Sequence, residues 1–345
     1  MAACPGMSAA SGGLEEFCPR ISHSLQNPPS IPSLAVAWVT CTIRNTRLVI
    51  DWHNYGWTIL EGTRGSSHPF VRISKLYECF FGRLAPSANL TVTHAMKRQL
   101  QKAPWGIRSP IVTMHDRPAA IFQPVSSPGQ RESGLSAVDE ARDFAHAITG
   151  GHQRLVVSST SWTPDEDFGL LLDALVRYGA ASAAGGSQPP LLVIITGRGP
   201  QKAAYEAEIA RLAAGGKLPG ITVRTAFLTF ENYARLLAAA DLGICLHMSS
   251  SGVDLPMKVV DMFGAGLPVV AYSGYESFGE LVREGENGCG FETSAELGDA
   301  MSRLLSAEGQ AELARLREGA VREGSRRWDE EWDEVVKPLL GYPAE

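Results

Sequence analysis

The chain has 345 residues, a formal charge of −6, 44% hydrophobic and 20% charged residues, which allows two globular domains with a sizeable core and excludes a disordered or fibrous chain. Six scattered cysteines (Cys4, Cys18, Cys41, Cys79, Cys245, Cys289) without a C-x-x-C spacing exclude a zinc ribbon and read as reduced thiols in a cytosolic setting. Residues 20–117 carry 12 Lys and Arg against 4 Asp and Glu, a basic half that suits an anionic partner, but the charges are dispersed and no nucleic-acid reader motif appears, so nucleic acid is excluded.

Residues 1–13 lack the basic start and apolar core of a signal peptide, and residues 1–25 are expected to be disordered. The longest apolar stretch, residues 34–43, is too short to span a membrane and carries threonines. Residues 48–53 read as a buried strand ending in Asp51, Trp52 and His53, followed by Asn54, Tyr55 and Gly56. His53 there is a candidate general base, and aromatic rings suit sugar faces; a structural histidine is the open alternative. A helix is predicted over residues 70–84, with Phe70, Ile73, Tyr77, Phe80, Phe81 and Leu84 mainly on one face. Core packing is the expected use of that face, and a membrane surface the alternative. Residues 90–94 and 111–116 read as further strands. Asn89-Leu90-Thr91 fits a glycosylation acceptor, but it falls in a strand and is read as chance. The Gly-, Ser- and Pro-rich residues 123–134 open a stretch to about 153 expected to connect two domains.

The second half alternates cleanly: strand 155–159, helix 167–176, strand 191–196, helix 201–212, strand 221–227, helix 233–240, strand 241–248 and, after a further helix, strand 267–272. That spacing implies a parallel, doubly wound sheet, which binds ligands at the carboxyl ends of its strands. Three loops fall there. Ser159, Thr160 and Ser161 offer hydroxyls to phosphate, and the acids Asp165, Glu166 and Asp167 read as helix caps. Gly197, Arg198 and Gly199 form a turn allowing close backbone approach, with a guanidinium for phosphate; Lys202 at the third glycine position breaks a dinucleotide fingerprint. Residues 249–266 begin with small residues, Ser251 and Gly252 among them, and continue to Asp254, read as a helix cap, with Pro256 in the first turn. Lys258 and Asp261, one turn apart, supply a cation for phosphate and a carboxylate for hydroxyls, as a nucleotide-sugar site requires; a capped core helix is the open alternative. Near the end, Trp328, Trp332, Val335 and Val336 at helical spacing are expected to clamp a last helix onto the core or the other domain.

Several of these segments together resemble one family. They are Gln26-Asn27-Pro28-Pro29, the run Leu48-Val49-Ile50-Asp51-Trp52-His53-Asn54-Tyr55-Gly56, Tyr77-Glu78-Cys79-Phe80-Phe81-Gly82-Arg83, residues 158–168, Ile195-Thr196-Gly197-Arg198-Gly199-Pro200, residues 249–264 and Arg327-Trp328-Asp329-Glu330. The chain is similar, from about residue 26 to near its end, to the chitobiosyldiphosphodolichol β-mannosyltransferases, the first mannosyltransferases of lipid-linked oligosaccharide assembly. The resemblance implies an α/β fold of GT-B type, two Rossmann-like domains facing a cleft. The expected division is an acceptor-side domain over 26–122, a linker over 123–153, a nucleotide-sugar domain over 154–310 and C-terminal helices over 311–345 packing back on the core. It implies inverting transfer of mannose from GDP-mannose to dolichyl-diphosphate chitobiose, without metal or other cofactor. The setting would be a membrane surface, the cytosolic face of the endoplasmic reticulum, with other mannosyltransferases as partners.

By motif position, Lys258 and Arg198 would offset charge on the departing GDP, Asp261 would face the ribose, and residues 251–254 would hold the diphosphate. His53 is our choice of base, with Asp51 and Asp116 as alternatives. The family pattern begins with an anchor helix and a strand–glycine-loop–helix unit not visible here, so an incomplete first domain is expected. The alternative function is a truncated or inactive relative that binds nucleotide sugar, or a partner transferase, without turnover.

Overall fold

The computed structural model describes residues 22–84, 87–184 and 186–341; most of the segment expected to be disordered, residues 1–21, lies outside them. Two parallel sheets organise the chain. Strands Ser22–Asn27 (β1), Arg47–Trp52 (β2), Ala88–Thr91 (β3) and Ile111–Thr113 (β4) lie side by side in chain order. The second sheet contains Arg154–Ser159 (β5), Leu191–Thr196 (β6), Ile221–Ala226 (β7), Leu242–Cys245 (β8), Val269–Tyr272 (β9) and Gly288–Phe291 (β10), ordered β10-β9-β8-β5-β6-β7. Its strands are nearly continuous apolar runs because helices cover both faces; every residue of β6 is buried. Strand order reverses between β5 and β8, so the loops leaving those two strands flank the crevice where such sheets bind ligands.

Apolar clusters cover the two faces of the second sheet. A third fills the first domain around Leu34, Trp52, Tyr55 and Trp105, and it includes Val253, contributed by the loop after β8. The last helix, Trp328–Leu340, returns to the first domain: Val336 packs with Val49, Ala88 and Leu90 of β2 and β3, and Trp328 stacks on Trp332 at 4.8 Å. This is the expected GT-B arrangement, and the terminal clamp closes on the other domain.

Four expectations change. Residues 22–25 are ordered in β1, paired in register with β2. The region 123–153 is no free linker: three short helices, Pro128–Ser136, Asp139–Arg142 and Ala145–Thr149, bury Leu135, Val138, Ala141, Ala145 and Ile148 in the second domain's core. Apolar residues at helical spacing outweigh the Gly and Ser content there. The strand expected over 90–94 ends at Thr91, because Thr93 caps a helix, His94–Gln101, by accepting from Met96 N–H.

The fourth change is the largest. The helix Pro69–Leu84 forms as predicted, but it buries Val71, Ser74, Glu78, Cys79 and Gly82. Phe70, Ile73, Leu76, Phe80 and Leu84 are 51–70% exposed. Its inner face carries Glu78, which accepts from the Ser30 hydroxyl at 2.5 Å and from Trp57 N–H at 3.0 Å. Burial pushes the Glu78 carboxyl up to about 7. Asn89 of the glycosylation pattern is fully buried and accepts from the Trp52 indole N–H at 2.9 Å.

Candidate active site

The loops leaving β5 and β8 are bound into one unit by a buried carboxylate. Glu166 is 1% exposed. One of its oxygens accepts from the Thr160 hydroxyl at 2.5 Å and from Ser161 N–H at 2.9 Å, and the other pairs with the Lys258 ammonium. The backbones of Glu166 and His247 form an isolated antiparallel β-bridge, and Met248 N–H donates to the Asp165 carbonyl at 3.0 Å. Of the acidic triplet, only Asp167 acts as a cap, accepting from Gly169 N–H at 2.8 Å. Reading all three acids as caps missed Glu166; adjacency to a strand end was the available signal, and its partner lies 92 residues away in sequence.

Thr160 has a committed hydroxyl, since it donates to Glu166 and accepts from Trp162 N–H at 2.7 Å. Ser161 is exposed, and Ser159 shares a hydrogen bond with the Tyr233 hydroxyl at 3.0 Å. The glycine turn seats against this loop: a Cβ at Gly197, whose φ is +129°, would strike the Thr160 carbonyl oxygen, and one at Gly199 the Ser161 carbonyl oxygen. The glycines are therefore required by close packing of two protein backbones. Arg198 projects outward, its guanidinium 3.8 Å over the Phe227 ring.

In the loop after β8, Asp254 is a hub. The helix begins at Met257 with Pro256 at its N-cap, so Asp254 does not cap it. Its carboxylate instead accepts from Ser249, from Ser251 at 3.2 Å, and faces His247 Nε2 at 3.2 Å. Burial would raise its pKa, but these bonds and the His247 charge hold it below the usual carboxylate value. Gly252 adopts φ +76° and its carbonyl accepts from Glu276 N–H at 3.0 Å. Asp261 follows Lys258 on the helix, and burial pushes its carboxyl up to about 7. It lies near Tyr233, whose hydroxyl it pushes upward in pKa after burial.

Across the cleft, the end of β2 presents His53. Its backbone N–H donates to Asn27 O at 3.0 Å, and its Nε2 lies 3.0 Å from Asp51 Oδ2. Burial alone would depress the imidazole pKa, but the hydrogen bond and charge of Asp51, with the charge of Asp116, carry it above 6.5. Asp116 itself is raised, by burial first and then by Asp51. The three sequence-derived base candidates thus form one cluster. A half-exposed imidazole oriented by a carboxylate can accept a proton from a bound hydroxyl.

The two halves touch directly. Asn54 Nδ2 donates to Ser250 Oγ at 3.2 Å and to Asp254 Oδ2 at 3.3 Å, and the Thr93 hydroxyl donates to Val253 O at 2.6 Å. Glu280 accepts from His94 and Ala95 N–H at 2.6 and 2.7 Å. His94, His115 and Glu280 bring potential metal-ligand atoms within 4.8 Å, but those backbone bonds occupy the carboxylate and make it an interdomain clasp. A cavity of about 960 Å³ lies elsewhere, along the outer face of Pro69–Leu84 by Arg72, Lys75, Leu76, Phe80, Arg83 and Pro104.

Comparison with known proteins gives a consistent picture. Residues 153–307 match the family described as "Glycosyl transferases group 1". The chain is 50% identical to a chitobiosyldiphosphodolichol β-mannosyltransferase of Arthroderma benhamiae, over 92% of this chain and 70% of that one. It is 41% identical to the human protein of the same name, over 92% and 72%. In structure it resembles Anabaena HepE in complex with UDP-glucose, with a TM-score of 0.64 at 18% identity, covering 89% of this chain and 76% of that one.

Proposed function

The chain belongs to the chitobiosyldiphosphodolichol β-mannosyltransferase family of glycosyltransferases, and from that premise we propose that it transfers mannose from GDP-mannose to a chitobiose unit carried on dolichyl diphosphate. The observation that carries this reading is the Lys258–Glu166 unit at the switch point of the second sheet, in a cleft whose other wall holds the His53–Asp51 pair and reaches Asp254 through Asn54.

The reaction would be a single displacement. His53 takes the proton of the acceptor hydroxyl, with Asp51 orienting the ring and stabilising the imidazolium. The hydroxyl oxygen attacks mannose C1 as the bond from C1 to the β-phosphate oxygen breaks, and GDP leaves with that electron pair. Attack from the far side turns the α-linked donor into a β-linked product. Lys258, Arg198, the loop 251–254 and the free N–H groups opening Met257–Gly264 offset the charge on the departing diphosphate. Asp261 would accept from the ribose hydroxyls.

The membrane setting draws on the first domain. Among the described residues no helix is long and apolar enough to cross a membrane. The exposed Phe70, Ile73, Leu76, Phe80 and Leu84, interleaved with Arg72, Lys75 and Arg83, form the kind of face that lies in a lipid interface and favours anionic headgroups. A dolichyl acceptor would be reached from the cytosolic side of the endoplasmic reticulum. The test is transfer from GDP-mannose to a phytanyl-diphosphate chitobiose acceptor. Turnover lost in Lys258→Ala is the expected result; GDP-mannose binding without turnover by the wild type would refute the assignment.

A further inference from the structure

The loop that follows β8 belongs to the second domain by sequence, yet part of it is built by the first. Val253 is fully buried among Leu34, Trp52, Tyr55, Met96 and Trp105, all from the first domain, and its carbonyl accepts from Thr93. Beside that plug stands Asn54, which uses every polar atom of its side chain and its carbonyl. Its Nδ2 donates across the cleft to Ser250 and Asp254. Its Oδ1 accepts from Tyr55 N–H at 2.7 Å and from the Thr58 hydroxyl at 3.4 Å, fixing the start of the helix Gly56–Arg64. Its carbonyl accepts from Asn27 Nδ2 at 3.1 Å, and the Asn27 carbonyl holds His53 N–H.

A side chain in this position connects two things that the chemistry needs in register: the loop beneath the donor diphosphate and the backbone turn that sets the His53 imidazole. We propose that Asn54 is a positioning residue that couples the donor loop to the general base, so that occupancy of the loop and placement of His53 depend on one another. This rests on the function proposed above. Asn54 touches neither donor phosphate nor acceptor hydroxyl in this role. It transmits geometry, through a donated bond to Asp254 on one side and accepted bonds from the 55–58 turn on the other. An aspartate would keep the second set and lose the first, because a carboxylate still accepts from Tyr55 N–H but cannot donate to Asp254 and repels it.

The experiment is a double-mutant cycle on the full chain with Asn54→Asp, Asp254→Asn and the pair, measuring kcat, KM for GDP-mannose and equilibrium binding of GDP without acceptor. Asn54→Asp is expected to remain folded, with GDP binding weakened and kcat reduced together, about tenfold in kcat/KM, as loss of a charge-assisted bond predicts. Combining it with Asp254→Asn reverses donor and acceptor and should recover at least about threefold over the product of the two single effects. Strictly multiplicative effects, or Asn54→Asp with unchanged kcat and unchanged GDP binding, overturn the proposal. A purely structural role would lower the melting temperature and leave kcat and GDP affinity of the folded enzyme alone, which also overturns it. Wild-type enzyme that neither binds GDP nor transfers mannose would refute the parent function and this inference with it, an outcome distinct from a working wild type with a multiplicative cycle.

Discussion

Replacing Glu166 by Ala tests whether the proposed donor site is held together by this carboxylate. The carboxylate is 1% exposed and serves three partners: Lys258, the Thr160 hydroxyl at 2.5 Å and Ser161 N–H at 2.9 Å. Truncation leaves the buried Thr160 hydroxyl without its acceptor, at about 1–3 kcal/mol. It also removes the partner of Lys258. A fully buried pair broken this way costs about 3–5 kcal/mol. The Lys258 side chain, however, is 25% exposed, so water recovers much of that loss. A total near 3 kcal/mol of stability is expected, read by urea denaturation. The effect on catalysis is separate. Lys258 and the 160–161 loop would no longer be preorganised for the departing diphosphate, and a hundredfold fall in kcat/KM corresponds to about 2.7 kcal/mol. Glu166→Gln retains shape and an acceptor oxygen but not the charge, and should lose about tenfold. The assay is initial-rate mannose transfer at fixed acceptor with varied GDP-mannose, alongside the denaturation curves. A folded Glu166→Ala enzyme with wild-type kcat/KM, or one as stable as wild type, refutes the reasoning.

Four other expectations concern protons and surfaces. His53 must be neutral to act as base and its pKa is raised, so kcat/KM should fall as pH drops through a value above 6.5; Asp51→Asn removes a raising influence and should move that acid limb to lower pH while lowering the plateau. Asp261, at about 7, should accept ribose hydroxyls better once ionised, so GDP affinity is expected to increase from pH 6 to 8 in titration calorimetry, and Asp261→Asn should abolish that slope. The same group works against the fold as it ionises: its folded pKa lies above the ordinary 3.8, so its contribution to stability is intact below that value and is lost as pH rises through about 7. Phe80→Asp, at a site 56% exposed, should leave the melting temperature unchanged. It should weaken sedimentation with anionic vesicles by about fivefold to tenfold, the worth of roughly 1 kcal/mol of half-buried apolar surface; unchanged vesicle binding would rule out that face as the contact.

Much of the second domain was legible without coordinates. Strands β5 to β9 are short apolar runs separated by helical repeats, and periodicity within ten or so residues reports that reliably. The loops at 158–167, 197–200 and 249–258 were legible for the same reason, since a parallel sheet fixes where strand ends lie. The helix over 70–84 was equally visible, yet its orientation was not: periodicity shows that a helix has two faces and says nothing about which one meets the core. Here the inner face carries Val71, Cys79 and a hydrogen-bonded Glu78 beneath the 55–57 turn, and the more apolar stripe faces outward. The region 123–153 misled because its Gly and Ser content masked apolar residues at helical spacing.

By itself, the sequence determined the residue types and local elements: a doubly wound second domain, a polar strand end at 51–56, and a cation and carboxylate one turn apart at 258 and 261. Only the tertiary structure decided their partners. Glu166 meets Lys258 across 92 positions, Asn54 meets Asp254 across 200, and Val253 enters the core of the other domain. Local sequence encodes backbone preference through steric and hydrogen-bonding terms acting over a few residues. Pairing of buried polar groups is set by which chain segments the two sheets bring together, and that depends on the packing of the whole chain.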